Sequence, residues 1–134
     1  MFEGDNRLNK PSVVLVLRML GAEVVEDDEF TDPDDLAISA VLPRSAMRVV
    51  GQARHGDRRI VAENPGDATF DVAYRCAFTI NFSAYADCMD DVRVFSETVA
   101  RELSAHFVVS WQFEQTLFLN SASGFRAVGQ VFAT

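Results

Sequence analysis

Between Ala68 and Phe82 the chain reads ATFDVAYRCAFTINF, and Phe70, Val72, Tyr74, Cys76, Phe78, Ile80 and Phe82 fall on every second position. Period-two alternation is the pattern of a β-strand with one face in a core. The opposite positions include Asp71, Arg75, Thr79 and Asn81. The pattern predicts one strand of fifteen residues. An apolar stripe of that length demands a cover, either a helical layer or a partner chain.

A helical cover is encoded further along. Between residues 90 and 105, Val92, Phe95, Val99 and Leu103 recur at the spacing of one helix face. Asp90 and Asp91 suit the positive end of the helix dipole, and Glu97 with Arg101 has the spacing of an i,i+4 pair. Residues 107–119 fit a helix through Val109, Phe113 and Leu117, or a strand through Phe107, Val109, Trp111 and Phe113. Gly124 follows, and then a last apolar segment from Phe125 to Phe132.

The N-terminal half is less regular. Residues 1–10 are polar and are expected to form a flexible N-terminus. In VVLVLRMLGAEVV (13–25), Gly21 either caps a short helix or interrupts a strand, and periodicity does not choose between them. Residues 36–42 form an apolar segment closed by Pro43. Residues 46–52 and 58–63 read as strands around a turn at Arg54–Asp57, and Asn64-Pro65-Gly66-Asp67 has the chemistry of a second turn. Strands and helices mixed in this way make an α+β domain. With 134 residues, 49 % of them hydrophobic, the chain can bury one core as a single domain over 1–134 without disulfides or metals.

Charge is concentrated in one place. Glu23, Glu26, Asp27, Asp28, Glu29, Asp32, Asp34 and Asp35 put eight acids into the thirteen residues of an expected acidic loop over 23–35, with no base among them. That equals the net charge of −8 for the whole chain. An acidic surface repels phosphate backbones, so no nucleic-acid partner is expected; a basic protein partner is. A plain solvated loop is the simpler alternative. Arg44, Arg48, Arg54, Arg58 and Arg59, with His55, form a basic counterpart for the acidic loop in the same chain or in a second copy.

A search for catalytic chemistry returns little. Of the two histidines, His55 lies in an Arg-rich turn and His106 at the end of the expected helix, where a His is ordinarily favourable. The chain has no Gly-rich phosphate loop, nucleophile elbow, HExxH or EF-hand spacing, so no catalytic, cofactor or metal residue is assigned. Cys76 and Cys88 lack zinc-site or redox spacing and read as free thiols in a core. No signal-peptide pattern opens the chain and no apolar run reaches membrane-spanning length. A cytoplasmic location without membrane insertion is expected.

The order of sheet, long Phe-rich strand, amphipathic helix, aromatic segment and then Gly-Phe resembles the SecB family of export chaperones and the SecB-like chaperones of toxin–antitoxin systems. In that family a second helix opens with Pro-aromatic-x-Arg-Glu, and a Gly-hydrophobic-Pro-Pro-hydrophobic segment follows. Here Ser110-Trp111-Gln112-Phe113-Glu114 is similar at the aromatic and the acid, and Gly124-Phe125-Arg126-Ala127-Val128 at the Gly and both hydrophobic positions. Ser110, Phe113 and Arg126-Ala127 depart from the pattern. The similarity spans about residues 68–130. It implies a helix over 109–121, an antiparallel sheet of about four strands packed against two C-terminal helices, and a homo-oligomer.

Two functions are therefore expected, both resting on another protein as partner. A SecB-like chaperone would hold an unfolded client in an accessible apolar groove, with Phe78, Phe82, Trp111, Phe113 and Phe118 as the lining candidates. An immunity protein or antitoxin would neutralise one cognate basic toxin through Glu26, Asp27, Asp28, Glu29, Asp32, Asp34 and Asp35. For each aromatic, packing in the core is the plain alternative.

Overall fold

The computed structural model describes residues 1–26, 38–53, 58–63 and 65–128. Its eleven elements begin with strand β1 (Phe2–Gly4), helix α1 (Lys10–Met19), and strands β2 (Glu23–Glu26), β3 (Ile38–Val41), β4 (Arg48–Ala53) and β5 (Tyr74–Thr79). A 3-10 turn (Phe82–Ala84) leads into helix α2 (Tyr85–Leu103), and β6 (Phe107–Trp111), β7 (Gln115–Ser121) and β8 (Gly124–Ala127) follow. The strands form one eight-stranded sheet in the order β2-β3-β4-β5-β1-β6-β7-β8, antiparallel at every pairing.

The chain is thus α+β with an antiparallel sheet and two helices, but the sheet has eight strands where about four were expected. Only α2 lies in the C-terminal half. The expected helix over 109–121 is a β-hairpin, made by β6 and β7. Four of the five β6 residues, Phe107 to Ser110, are buried. A strand buried on both faces reads as a continuous apolar run, so its sequence carries no helical or alternating signature of its own.

The β-branched run after residue 12 is helical because its ends are specified. Asn9 Oδ1 accepts a hydrogen bond from Ser12 N (2.9 Å), and Ser12 Oγ accepts one from Asn9 N (3.0 Å), a reciprocal cap. Gly21, at φ +81°, takes the left-handed position just past the end. Val13, Val14, Val16 and Leu17 face the core, and α1 lies beside α2 and against β2, β3 and β4. On α2 the expected stripe is buried at Val92, Phe95 and Val99. The Glu97–Arg101 pairing does not form. Arg93 instead reaches Asp90 (2.5 Å) and Glu97 (3.3 Å), while Arg101 turns to Glu102 (3.1 Å).

The first residues are the opposite of a flexible tail. Phe2–Gly4 is an inner strand, between β5 and β6. Phe2 lies edge-on to Phe95 (5.3 Å) and stacks on Phe107 (4.6 Å). Pairing on both sides orders a strand too short to show a pattern.

The fifteen-residue strand is also shorter than its pattern. Only Tyr74–Thr79 pairs as β5. Upstream, residues 58–63 and 65–73 cross the sheet face opposite the helices, where Ala62 and Ala68 pack on Val108 and Leu119 with Ile60 and Phe70. Downstream, the Asn81 side chain accepts from Ser83 N (3.1 Å) and bends the chain into the 3-10 turn. Residues 58–63, expected as a strand, give the Val61 and Ala62 N–H groups to the Glu3 carboxylate (2.9 and 3.0 Å) instead of to a neighbouring strand. No helix among the described residues is long and apolar enough to cross a membrane.

Candidate functional site

The site arises from a mismatch of strand lengths. β1 has three residues, while its neighbours β5 and β6 have six and five. The last β1 residue toward the 3-10 turn is Phe2, opposite Cys76 on one side and Val109 on the other. Past that point β5 continues through Ala77, Phe78 and Thr79, and β6 through Ser110 and Trp111. The two strands part, and a cavity of about 320 Å³ opens between them.

Phe78 and Ile80 form one wall of this pocket, with Phe82 at its mouth. Met89 and Val92 of α2 form its floor, and Trp111, Phe113 and Leu117 the facing wall. The hairpin turn that carries this wall is bent against its sequence. Glu114 N bonds to Trp111 O (2.9 Å), and the two central residues, Gln112 and Phe113, both have positive φ (51° and 63°). Such turns favour Asn-Gly, and a bulky residue there is strained. Glu63 N bonds to Phe113 O (2.7 Å) and ties the turn to the segment crossing the other face.

The lining side chains are not ionisable, but Met1 is among the lining residues, and its N-terminal ammonium donates to Ser110 O (2.7 Å) with its pKa lowered by burial. The Ser110 hydroxyl is buried and lacks a hydrogen-bond partner among the described residues. Apolar walls with a few polar points are the common build of a binding pocket.

Of the aromatics named from sequence, the fold brings Phe78, Phe82, Trp111 and Phe113 together here. Phe82 is the most open, at 76 % exposure. Phe118 is not part of the site. It is fully buried and stacked on Phe125 at 5.9 Å, because β7 has a strand on each side and turns this residue to the helices. Met1, Met89 and Leu117 also line the pocket and were not singled out from sequence. Their role depends on where β1 stops, which no local pattern announces.

The acidic stretch divides. Glu23 and Glu26 belong to edge strand β2 rather than to a loop, whereas Asp27, Asp28, Glu29, Asp32, Asp34 and Asp35 lie outside the described residues. Of the basic set, Arg44 reaches Asp90 (2.5 Å) and Asp91 (3.2 Å) of α2. Arg54 and His55 lie outside the described residues.

Other ionisable groups are engaged structurally. The Glu3 carboxylate, fully buried, accepts from Arg75 Nε (3.2 Å) besides the two backbone N–H groups. Asp67 bonds to Arg126, Ser121 and Ser123, which hold its carboxyl down at about 2. Both cysteines are buried and free, and burial pushes the Cys76 thiol up to about 12. Among the described residues no group of three His, Cys, Asp or Glu side chains is placed to hold a metal ion.

Compared with protein-family models, with curated proteins and with solved structures, the chain matches none. The pocket's own geometry is what bears on function.

Proposed function

We propose that this chain is a non-enzymatic protein-binding module that holds an apolar stretch of non-native polypeptide in the pocket between β5, α2 and the β6–β7 hairpin. The observation that carries this reading is the gathering of Phe78, Phe82, Trp111 and Phe113, distant in sequence, around one largely apolar cavity open to solvent. Accessible apolar surface is costly unless it is used, and aromatic contact tolerates many client sequences. SecB-type holding of unfolded clients is the proposed activity; the helix that the family resemblance implied is no part of it.

The test is binding of a reduced, unfolded protein to the chain, with Phe82→Asp and the triple variant D27N/D28N/E29Q compared. Phe82→Asp puts a charge at the mouth of the pocket without disturbing the core, and affinity is expected to fall roughly tenfold or more. The triple variant is expected to bind like the parent. Failure of the parent chain to bind any unfolded protein would contradict the proposal. Loss of binding only in the triple variant would move the site to the acidic stretch.

A further inference from the structure

We infer that the sheet face turned away from the helices, over β2, β3 and β4, is a contact between two copies of this chain, related by a two-fold axis along β3. The inference goes beyond the pocket and does not depend on it.

Strand register defines the patch. Residues opposite each other on neighbouring strands point to the same face. Val24, Ala40 and Val49 form one such row and pack into the core beneath the helices. The rows on either side of it point the other way. One runs Glu23, Val41, Arg48 and Thr79 from β2 to β5, and the other Val25, Ser39, Val50 and Ala77. An antiparallel sheet with one face in water ordinarily turns polar residues outward. Here Val25, Val41 and Val50 stand outward and exposed, Val25 at 66 %.

Elsewhere the chain covers this face itself. Ala62 and Ala68 pack there on Val108 of β6 and Leu119 of β7. That cover reaches as far as β5, where the Arg75 guanidinium donates to Arg59 O (2.8 Å). Beyond β5 the three valines remain exposed.

Two charges decide what fits over them. Glu23 and Arg48 flank Val41 in one row, one strand to either side. Both are exposed, and neither has an ion-pair partner among the described residues. A half-turn about an axis along β3 exchanges the β2 and β4 positions and turns the face over. It sets Glu23 of each copy against Arg48 of the other. Val25 then meets Val50, and Val41 meets Val41 on the axis. A half-turn about an axis along the row, across the strands, would instead oppose Glu23 to Glu23 and Arg48 to Arg48. Charge therefore selects the first arrangement, an isologous contact with the two sheets aligned. Sheets stacked in this way lie about 10 Å apart, a gap that two valine layers fill and a Glu–Arg pair spans.

The patch is small, so a weak dimer is expected, with a Kd on the order of tens of micromolar. Sedimentation equilibrium over about a tenfold concentration range on either side of that value measures it. Glu23→Arg and Arg48→Glu each place two like-charge contacts in the symmetric dimer, and each is expected to weaken it roughly tenfold or more. An equimolar mixture of the two variants makes both contacts with opposite charges again, and is expected to dimerise about as tightly as the parent. A folding defect would not be repaired by mixing. A parent chain that stays monomeric throughout the range would overturn the inference. So would a dimer that neither substitution weakens, or one that mixing fails to restore.

Discussion

The two ends of β1 solve the same problem in opposite ways. Along Phe2–Gly4 most needs are met from within, except at the buried Tyr74 hydroxyl opposite Gly4, which lacks a partner among the described residues. Phe2 is sandwiched between two rings, the buried Glu3 carboxylate takes three donors, and Gly4 lies so close to Leu8 that a Cβ there would fall 1.8 Å from its Cδ1. At the Met1 end the strand stops while its neighbours continue. An apolar cavity remains, with a buried serine hydroxyl that lacks a partner among the described residues. A closed end of this kind stabilises the fold, and an open one leaves apolar surface of the kind that binding sites present.

That contrast is broken or sharpened by substitutions at the two ends. Glu3→Ala leaves Arg75 half-enclosed and without its carboxylate, and frees the Val61 and Ala62 N–H groups, so a loss of about 4 kcal/mol is expected in denaturant unfolding. A loss below about 1 kcal/mol would mean the closed end is not held by this ion pair. Phe2→Ala removes the ring between Phe95 and Phe107 and is expected to cost about 3 kcal/mol by the same measurement.

The open end responds differently. Gln112→Gly relieves a positive φ on an exposed residue and is expected to stabilise the chain by about 1 kcal/mol with client affinity unchanged. Phe82→Ala should alter stability by less than about 0.5 kcal/mol, because the side chain is already exposed, yet weaken client binding. The smallest effect lies away from both ends, at Asp67. Its carboxyl is lowered from 3.8 to about 2, so its contribution is present above 3.8 and fades as pH falls through about 2. Asp67→Asn should therefore be less stable than the parent near neutral pH and equal to it below pH 2, as read from thermal midpoints.

How much of this is visible in the chain differs by region. The α2 stripe is legible because Val92, Phe95 and Val99 repeat at helical spacing and are buried together on one face. The aromatic lining is legible in part, since Phe78 lies in β5 and Phe82 continues its alternation past the end of the strand. β1 is not legible: three residues carry no period, and the strand exists only because β5 and β6 enclose it. The buried Glu3 is hidden for the same reason, as its partners Arg75, Val61 and Ala62 lie far along the chain. The β6–β7 turn escapes because Gln112-Phe113 lacks the Asn-Gly signal that such a turn normally carries. The overlong strand has a different origin. Ala68 and Phe70 are apolar to cover the second sheet face, and their spacing happens to continue that of β5.

Trp111 is the only tryptophan in the chain and stands in the pocket wall, so it reports on the site alone. Titrating a reduced, unfolded protein while following its emission tests the central claim most directly. A saturable blue shift that Phe82→Asp weakens is the predicted result. Emission that stays constant while sedimentation shows the two proteins bound would place the contact elsewhere and contradict the account.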